Sequence, residues 1–106
     1  MIKYIALYKK PADPEGFDEK YFESHLPIVN SVPGIVRAEV ARVQRVVFEG
    51  FLGETELHLI AEMYFESEES FKAALQTPEW ATAGANLAEI GGMELVAMFS
   101  AEVVEK

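Results

Sequence analysis

Leu57-His58-Leu59-Ile60-Ala61-Glu62-Met63-Tyr64-Phe65-Glu66 runs directly into Ser67-Glu68-Glu69, and the change of rhythm there decides the fold. In the first stretch Leu57, Leu59, Ala61, Met63 and Phe65 alternate with His58, Ile60, Glu62, Tyr64 and Glu66, the two-residue period of a strand. Ser67 then offers an N-cap, Glu68 and Glu69 complement the helix dipole, and Phe71, Ala74 and Leu75 face inward. Thr77-Pro78-Glu79-Trp80 repeats the start signal, so this helix is predicted to break near Thr77 and resume over 79–90, up to Gly91-Gly92. A last strand is predicted from Met93 to Val104.

Upstream, Glu49 to Glu54 supplies the glycines of a connection, and the β-branched residues between Ile35 and Phe48 predict a long, partly exposed strand that pairs with 57–66 as a hairpin. Phe17, Tyr21, Phe22, His25, Ile28, Val29 and Val32 keep the three-and-four spacing of one helical face, which predicts a helix over 17–31. Pro27 lies inside it, removes one backbone hydrogen bond, and should loosen or kink it. Asp13-Pro14-Glu15-Gly16 reads as a loop of turn formers after a first strand over 2–9.

The resulting order, strand, helix, strand, strand, helix, strand, is that of an α+β ferredoxin-like βαββαβ domain occupying 1–106, with a four-stranded antiparallel sheet covered on one face by its helices. The first, third and last strands are apolar at both parities, for example Tyr4, Ala6 and Tyr8 against Ile5 and Leu7. A solvated second face would expose a large apolar patch. A homodimer that packs two sheets face to face, a dimeric α+β barrel, removes it.

The 106 residues include no cysteine, so thiolate chemistry, thiolate metal sites and disulfides are excluded, and a reducing cytoplasm is the expected location. Lys3 interrupts the amino-terminal apolar run, which reads as a strand rather than a signal peptide, and no stretch predicts a membrane span. The net charge of -9 is uneven: residues 1–45 hold seven Lys/Arg against six Asp/Glu, and 46–106 hold two against twelve. That acidic second half argues against nucleic acid as a partner.

Tyr21-Phe22-Glu23-Ser24-His25-Leu26-Pro27-Ile28-Val29, followed by Val32-Pro33-Gly34-Ile35, resembles the first-helix signature of EthD-type proteins, members of the dimeric α+β barrel superfamily. Ser67, Phe71, Ala74, Leu75 and Thr77-Pro78-Glu79 resemble that family's second helix, whereas Asn86-Leu87-Ala88-Glu89-Ile90 departs from its usual continuation. The resemblance implies a role in oxidative breakdown of a small, largely apolar organic compound held between sheet and helices. The wider superfamily includes cofactor-free monooxygenases, cyclases, isomerases and haem-binding members, and fold alone does not choose among them.

His25 is the leading candidate for acid/base chemistry, because it sits beside the Pro27 irregularity and a neutral imidazole can exchange a proton at physiological pH. The alternative is a histidine that packs or caps between helix and sheet. Tyr4, Tyr8, Tyr21, Phe22 and Phe65 are candidates to line a ligand cavity, or else core aromatics. Trp80 reads as a packing anchor or dimer contact. His58, at a sheet end beside Glu56, reads as exposed, and two histidines without a partner spacing predict no metal site. Arg37, Arg42 and Arg45 read as edge or ion-pair residues. No glycine-rich dinucleotide fingerprint, phosphate loop or serine elbow is present, so no cofactor is expected. Three readings stay open: an enzyme, a ligand-binding accessory protein of an oxidative pathway, and a structural dimer.

Overall fold

The structure is a computed structural model that describes residues 1–105. Four strands, β1 (Ile2–Lys9), β2 (Arg37–Arg42), β3 (Leu57–Phe65) and β4 (Val96–Glu102), form one antiparallel sheet in the order β2-β3-β1-β4. The helices α1 (Pro14–Lys20), α2 (Leu26–Val29), α3 (Glu68–Leu75) and α4 (Pro78–Glu89) cover one face. This is the α+β arrangement predicted from the order of elements. Among the described residues no helix is long and apolar enough to cross a membrane.

Helix one begins earlier than predicted. Asp13 caps it by accepting the Gly16 N–H at 3.2 Å, and Pro14 occupies the first turn. The loop reading of 13–16 is therefore corrected to an N-cap followed by proline. Between α1 and α2 the chain makes a π-helical turn, Tyr21–His25, in which the Leu26 N–H bonds to the Tyr21 carbonyl. Pro27 explains its position: its ring would crowd the Glu23 carbonyl in a regular α-helix, and the wider turn relieves that contact. Tyr21 and His25, four residues apart, are the two buried residues of this turn.

Strand two is shorter than the predicted 35–48. Its last rung is the Val43 N–H bonded to the His58 carbonyl at 2.8 Å, after which 43–56 leaves the sheet as an arm with a 3₁₀ turn at Gly50–Leu52. The hairpin pairing itself is as predicted, with Val40 opposite Ala61 and Ala38 opposite Met63. Where β1 meets β3, Tyr8 pairs with Leu59 but Lys9 pairs with Leu57, so His58 is the extra residue of a bulge. Bulges re-aim side chains. The His58 ring is half-buried and bonds Asp18 of α1 at 2.7 Å, with Arg42 3.4 Å from the other Asp18 oxygen, which corrects the exposed reading of His58.

The core between sheet and helices has two centres. One gathers Ile2, Val29, Val32, Met63, Phe65, Phe71, Ala74 and Ala83. The other gathers Ala6, Tyr8, Phe17, Tyr21, Leu59, Ala61 and Leu87. On the uncovered face Lys3, Glu62, Tyr64, Arg37 and Glu39 form a polar cluster, with Lys3 and Glu62 paired at 2.6 Å. Ile5, Leu7, Ile60, Ala97 and Phe99 form the apolar remainder, joined by register as Leu7 with Ile60 and Ala97, and Ile5 with Phe99.

Candidate functional site

The two core centres do not close on each other. Ala6 and Ala61 are paired on the middle strands, and α4 turns Ala83 and Gly84 toward them, so the centre of the layer lacks side-chain volume. A cavity of about 110 Å³ results, with Tyr8, Tyr21 and His25 in its wall on one side and Tyr4 and Trp80 on the other. Met93, ahead of β4, and Met98, on β4 opposite Ala6, are both 43% exposed and form its rim.

His25 is only 5% exposed. Its Nδ1 lies 3.1 Å from Asn86 Oδ1, and the same amide donates from Nδ2 to Ser24 Oγ at 2.9 Å. With the amide in this orientation its oxygen faces the histidine, so Nδ1 carries the proton and Nε2 keeps its lone pair. Burial lowers the His25 pKa below its ordinary 6.5, and the bond to Asn86 partly offsets this. The ring is therefore neutral at physiological pH and able to accept a proton at Nε2.

The phenols differ by depth. Tyr8 is 1% exposed, and its ring meets Tyr21 edge-on at 5.3 Å. Burial and the interaction between the two hydroxyls push the Tyr8 phenol far up, and burial raises Tyr21 as well. Tyr4 is pushed up to about 12 by burial, so all three stay protonated donors. The Tyr4 hydroxyl donates to Met98 Sδ at 2.7 Å. A thioether is a weak acceptor, so a ligand oxygen can replace it at little cost.

Of the residues singled out in the sequence, Tyr4, Tyr8, Tyr21 and His25 line one cavity. Phe22 and Phe65 do not line it. Phe22 is half-buried outside, edge-on to Tyr21 and beneath the Arg42 guanidinium, and Phe65 is fully buried against Phe71. Trp80 does line it, edge-on to Tyr4 at 5.0 Å.

The sequence matches the EthD domain family over residues 9–89. A crystal structure of an ethyl tert-butyl ether D (EthD) family protein from Bacillus halodurans is similar at TM-score 0.87 and 32% identity, covering 98% of this chain and 99% of that one. The chain belongs to the EthD family. An uncharacterized 11.0 kDa protein from the thcB-thcC intergenic region of Rhodococcus erythropolis is 28% identical over 102 residues, 96% of this chain and 95% of its own length. SnoaB, a cofactor-independent oxygenase from Streptomyces nogalater, shares the fold at TM-score 0.63 and 14% identity, covering 99% of this chain and 93% of its own.

The matched EthD segment carries Tyr21, His25, Trp80 and Asn86, whereas Tyr4, Tyr8, Met93 and Met98 lie outside it. Sequence reasoning missed Asn86 as the partner of His25 and the methionine rim. The signal available was Asn86 in the departing segment, six residues beyond Trp80 on one helix. Met93 is set by the end of α4, where Gly91 at φ 84 lets the Gly92 N–H bond the Leu87 carbonyl at 2.8 Å and the Gly91 N–H bond Ala88 at 3.1 Å. Two such bonds form a Schellman cap that turns the chain back over the cavity.

Proposed function

We propose that this EthD-family protein binds a small, largely apolar organic molecule in the cavity between sheet and helices and uses His25 to move a proton on it. The observation that carries this reading is the buried, neutral His25, with Nδ1 held by Asn86 and no hydrogen bond to Nε2 among the described residues, in the wall of a cavity that also holds three protonated phenols. A molecule with a phenolic or enolic proton fits this arrangement. Nε2 accepts that proton, and Tyr4, released from Met98, donates to the oxygen on which negative charge develops.

The resulting electron-rich anion has two outcomes. Return of the proton to a different atom is an isomerisation. Reaction with dioxygen is an oxygenation in which one oxygen atom is retained as a new carbonyl and the other leaves as water. Descent from the EthD family and the shared fold of the cofactor-independent oxygenase SnoaB favour the second. We also propose that the protein works as a homodimer, because Ile5, Leu7, Ile60, Ala97 and Phe99 leave an apolar area on the uncovered face of the sheet.

The test is a thermal-shift screen of small phenols, enols and ethers on wild type and His25→Ala, followed by oxygen-uptake assays with each compound that binds. A compound that stabilises wild type and is consumed only when His25 is present is the expected result. Binding without consumption in either protein would assign a carrier role instead. Absence of binding to both would sink the reading.

A further inference from the structure

The arm between β2 and β3 is the largest feature that the cavity does not use. Val47, Phe48 and Phe51 are 92%, 85% and 99% exposed. The arm has a built shape: the Leu52 N–H bonds the Glu49 carbonyl at 2.9 Å and the Thr55 N–H bonds the Leu52 carbonyl at 3.1 Å. Gly50, at φ 51, lets the Phe48 ring lie where an added Cβ would come within 3.2 Å of it. The arm enlarges the molecule sideways. The chain measures 37 × 36 × 17 Å, and its radius of gyration is 14.2 Å, above the roughly 13 Å usual for a compact domain of a hundred residues.

A second uncovered apolar feature lies at the opposite edge of the sheet. The β2 edge carries Arg37, Glu39 and Arg42, charges that blunt it against pairing. The β4 edge carries no charge from Val96 to Ala101, and its own Met98 together with Met93 just before it leaves the cavity rim exposed. Arg42, Leu59, Tyr8 and Val96 are joined by register in one line across the sheet. The arm therefore leaves β2 at the same end as Val96 and the rim residue Met93. If two sheets face each other about a two-fold axis along the strands, β2 of one copy lies over β4 of the other and the ends stay matched.

We propose that the arm of one copy packs Phe48 and Phe51 over the β4 edge of a second copy and closes the rim of that copy's cavity, so that each site is complete only in the dimer. This rests on the dimer and the cavity proposed above. Charge selects a second copy as the occupant. Glu49 and Glu54, against the single Arg45, flank the apolar residues of the arm, which opposes docking on an anionic lipid surface. On a second copy the same carboxylates come to the end of the sheet where Lys9 bonds its backbone N–H to Leu95 at 2.9 Å.

The chain has no cysteine, so engineered thiols report without background. Light scattering on wild type comes first. Phe51→Cys and Met93→Cys chains are then co-expressed and treated with a short bis-maleimide, with each variant alone as control. The expected result is a covalent dimer in the mixture well above that in either control. A dimeric wild type whose mixture links no better than the controls overturns the placement of the arm and leaves the dimer standing. A monomeric wild type removes the dimer and the placement together, without touching the cavity. Trp80, the single tryptophan, lines the cavity, so acrylamide quenching of its fluorescence reads the closure. Quenching should increase in Phe48→Ser/Phe51→Ser, and unchanged quenching would overturn closure of the rim.

Discussion

At the scale of the residue, the chemistry depends on which nitrogen of His25 holds the proton, and Asn86 decides that. Burial lowers the His25 pKa, so just below pH 6.5 the unfolded chain binds a proton that the folded chain refuses. Stability therefore rises with pH through that window, and this contribution is lost as pH falls through the folded pKa. Asn86→Ala removes the bond that raises the His25 pKa. The expected outcome is a pKa lower still, a wider window of pH-dependent stability, and a loss of about 1–3 kcal/mol from the buried Nδ1–H left without a partner. An NMR titration of the ring protons of His25, beside those of His58 as the second histidine, checks the direction. A His25 pKa that rises in the variant would count against the assigned roles of the two nitrogens.

At the scale of the element, the sequence was legible wherever a local signal and the tertiary answer agree. The caps at Ser67 and Thr77 are both formed, accepting from Ser70 and Trp80 at 3.1 Å and 3.2 Å. The Asp13-Pro14 signal is of the same kind, but the turn-forming neighbours Glu15 and Gly16 hid it. Less was legible where one inserted residue or a distant partner decides. The bulge at His58 and the short β2 follow from where β3 begins and how it registers with β1, which no window of β-branched residues reveals. The looseness expected at Pro27 was legible, but its form as a π turn upstream was not. Half of the candidate site was read from residue type, as with His25 and the tyrosines. The cavity itself is made by Ala6, Ala61, Ala83 and Gly84, whose small size carries no chemical signal. That gives this scale its prediction: Ala61→Leu puts side-chain volume into the cavity between β3 and α4. The expected outcome is a melting temperature at or above wild type, because a void is filled rather than a packed core strained, together with loss of every ligand-induced shift. A variant that still responds to ligand would locate binding elsewhere.

At the scale of the whole molecule, one chain is a sheet with helices on a single side, and its 17 Å thickness is that of two layers. The uncovered face is divided. Its polar end is internally satisfied, with Lys3 bonded to Glu62, Arg37 to Glu39, and both cations near the Tyr64 ring at 5.4 Å and 4.7 Å. Its apolar end has no such resolution among the described residues, for Phe99 is 46% exposed and joins Ile5, Leu7, Ile60 and Ala97 through the strand register. A second copy is the simplest cover, and mass action then makes stability depend on protein concentration. The expected behaviour of wild type is a melting temperature that climbs as concentration is raised. Leu7→Glu places a charge in the middle of the apolar end, where it would have to be desolvated on association. A single chain tolerates it, since Leu7 faces away from the helices. The variant should therefore remain folded by circular dichroism, run as a monomer in light scattering, and melt at a temperature independent of concentration. Burying an unpaired carboxylate at such a contact costs several kcal/mol or more, enough to shift association by orders of magnitude. A Leu7→Glu protein that stays dimeric would place the contact on another surface, whereas a variant that loses its helical signal as well would show that the face cannot stand alone even within one folded chain.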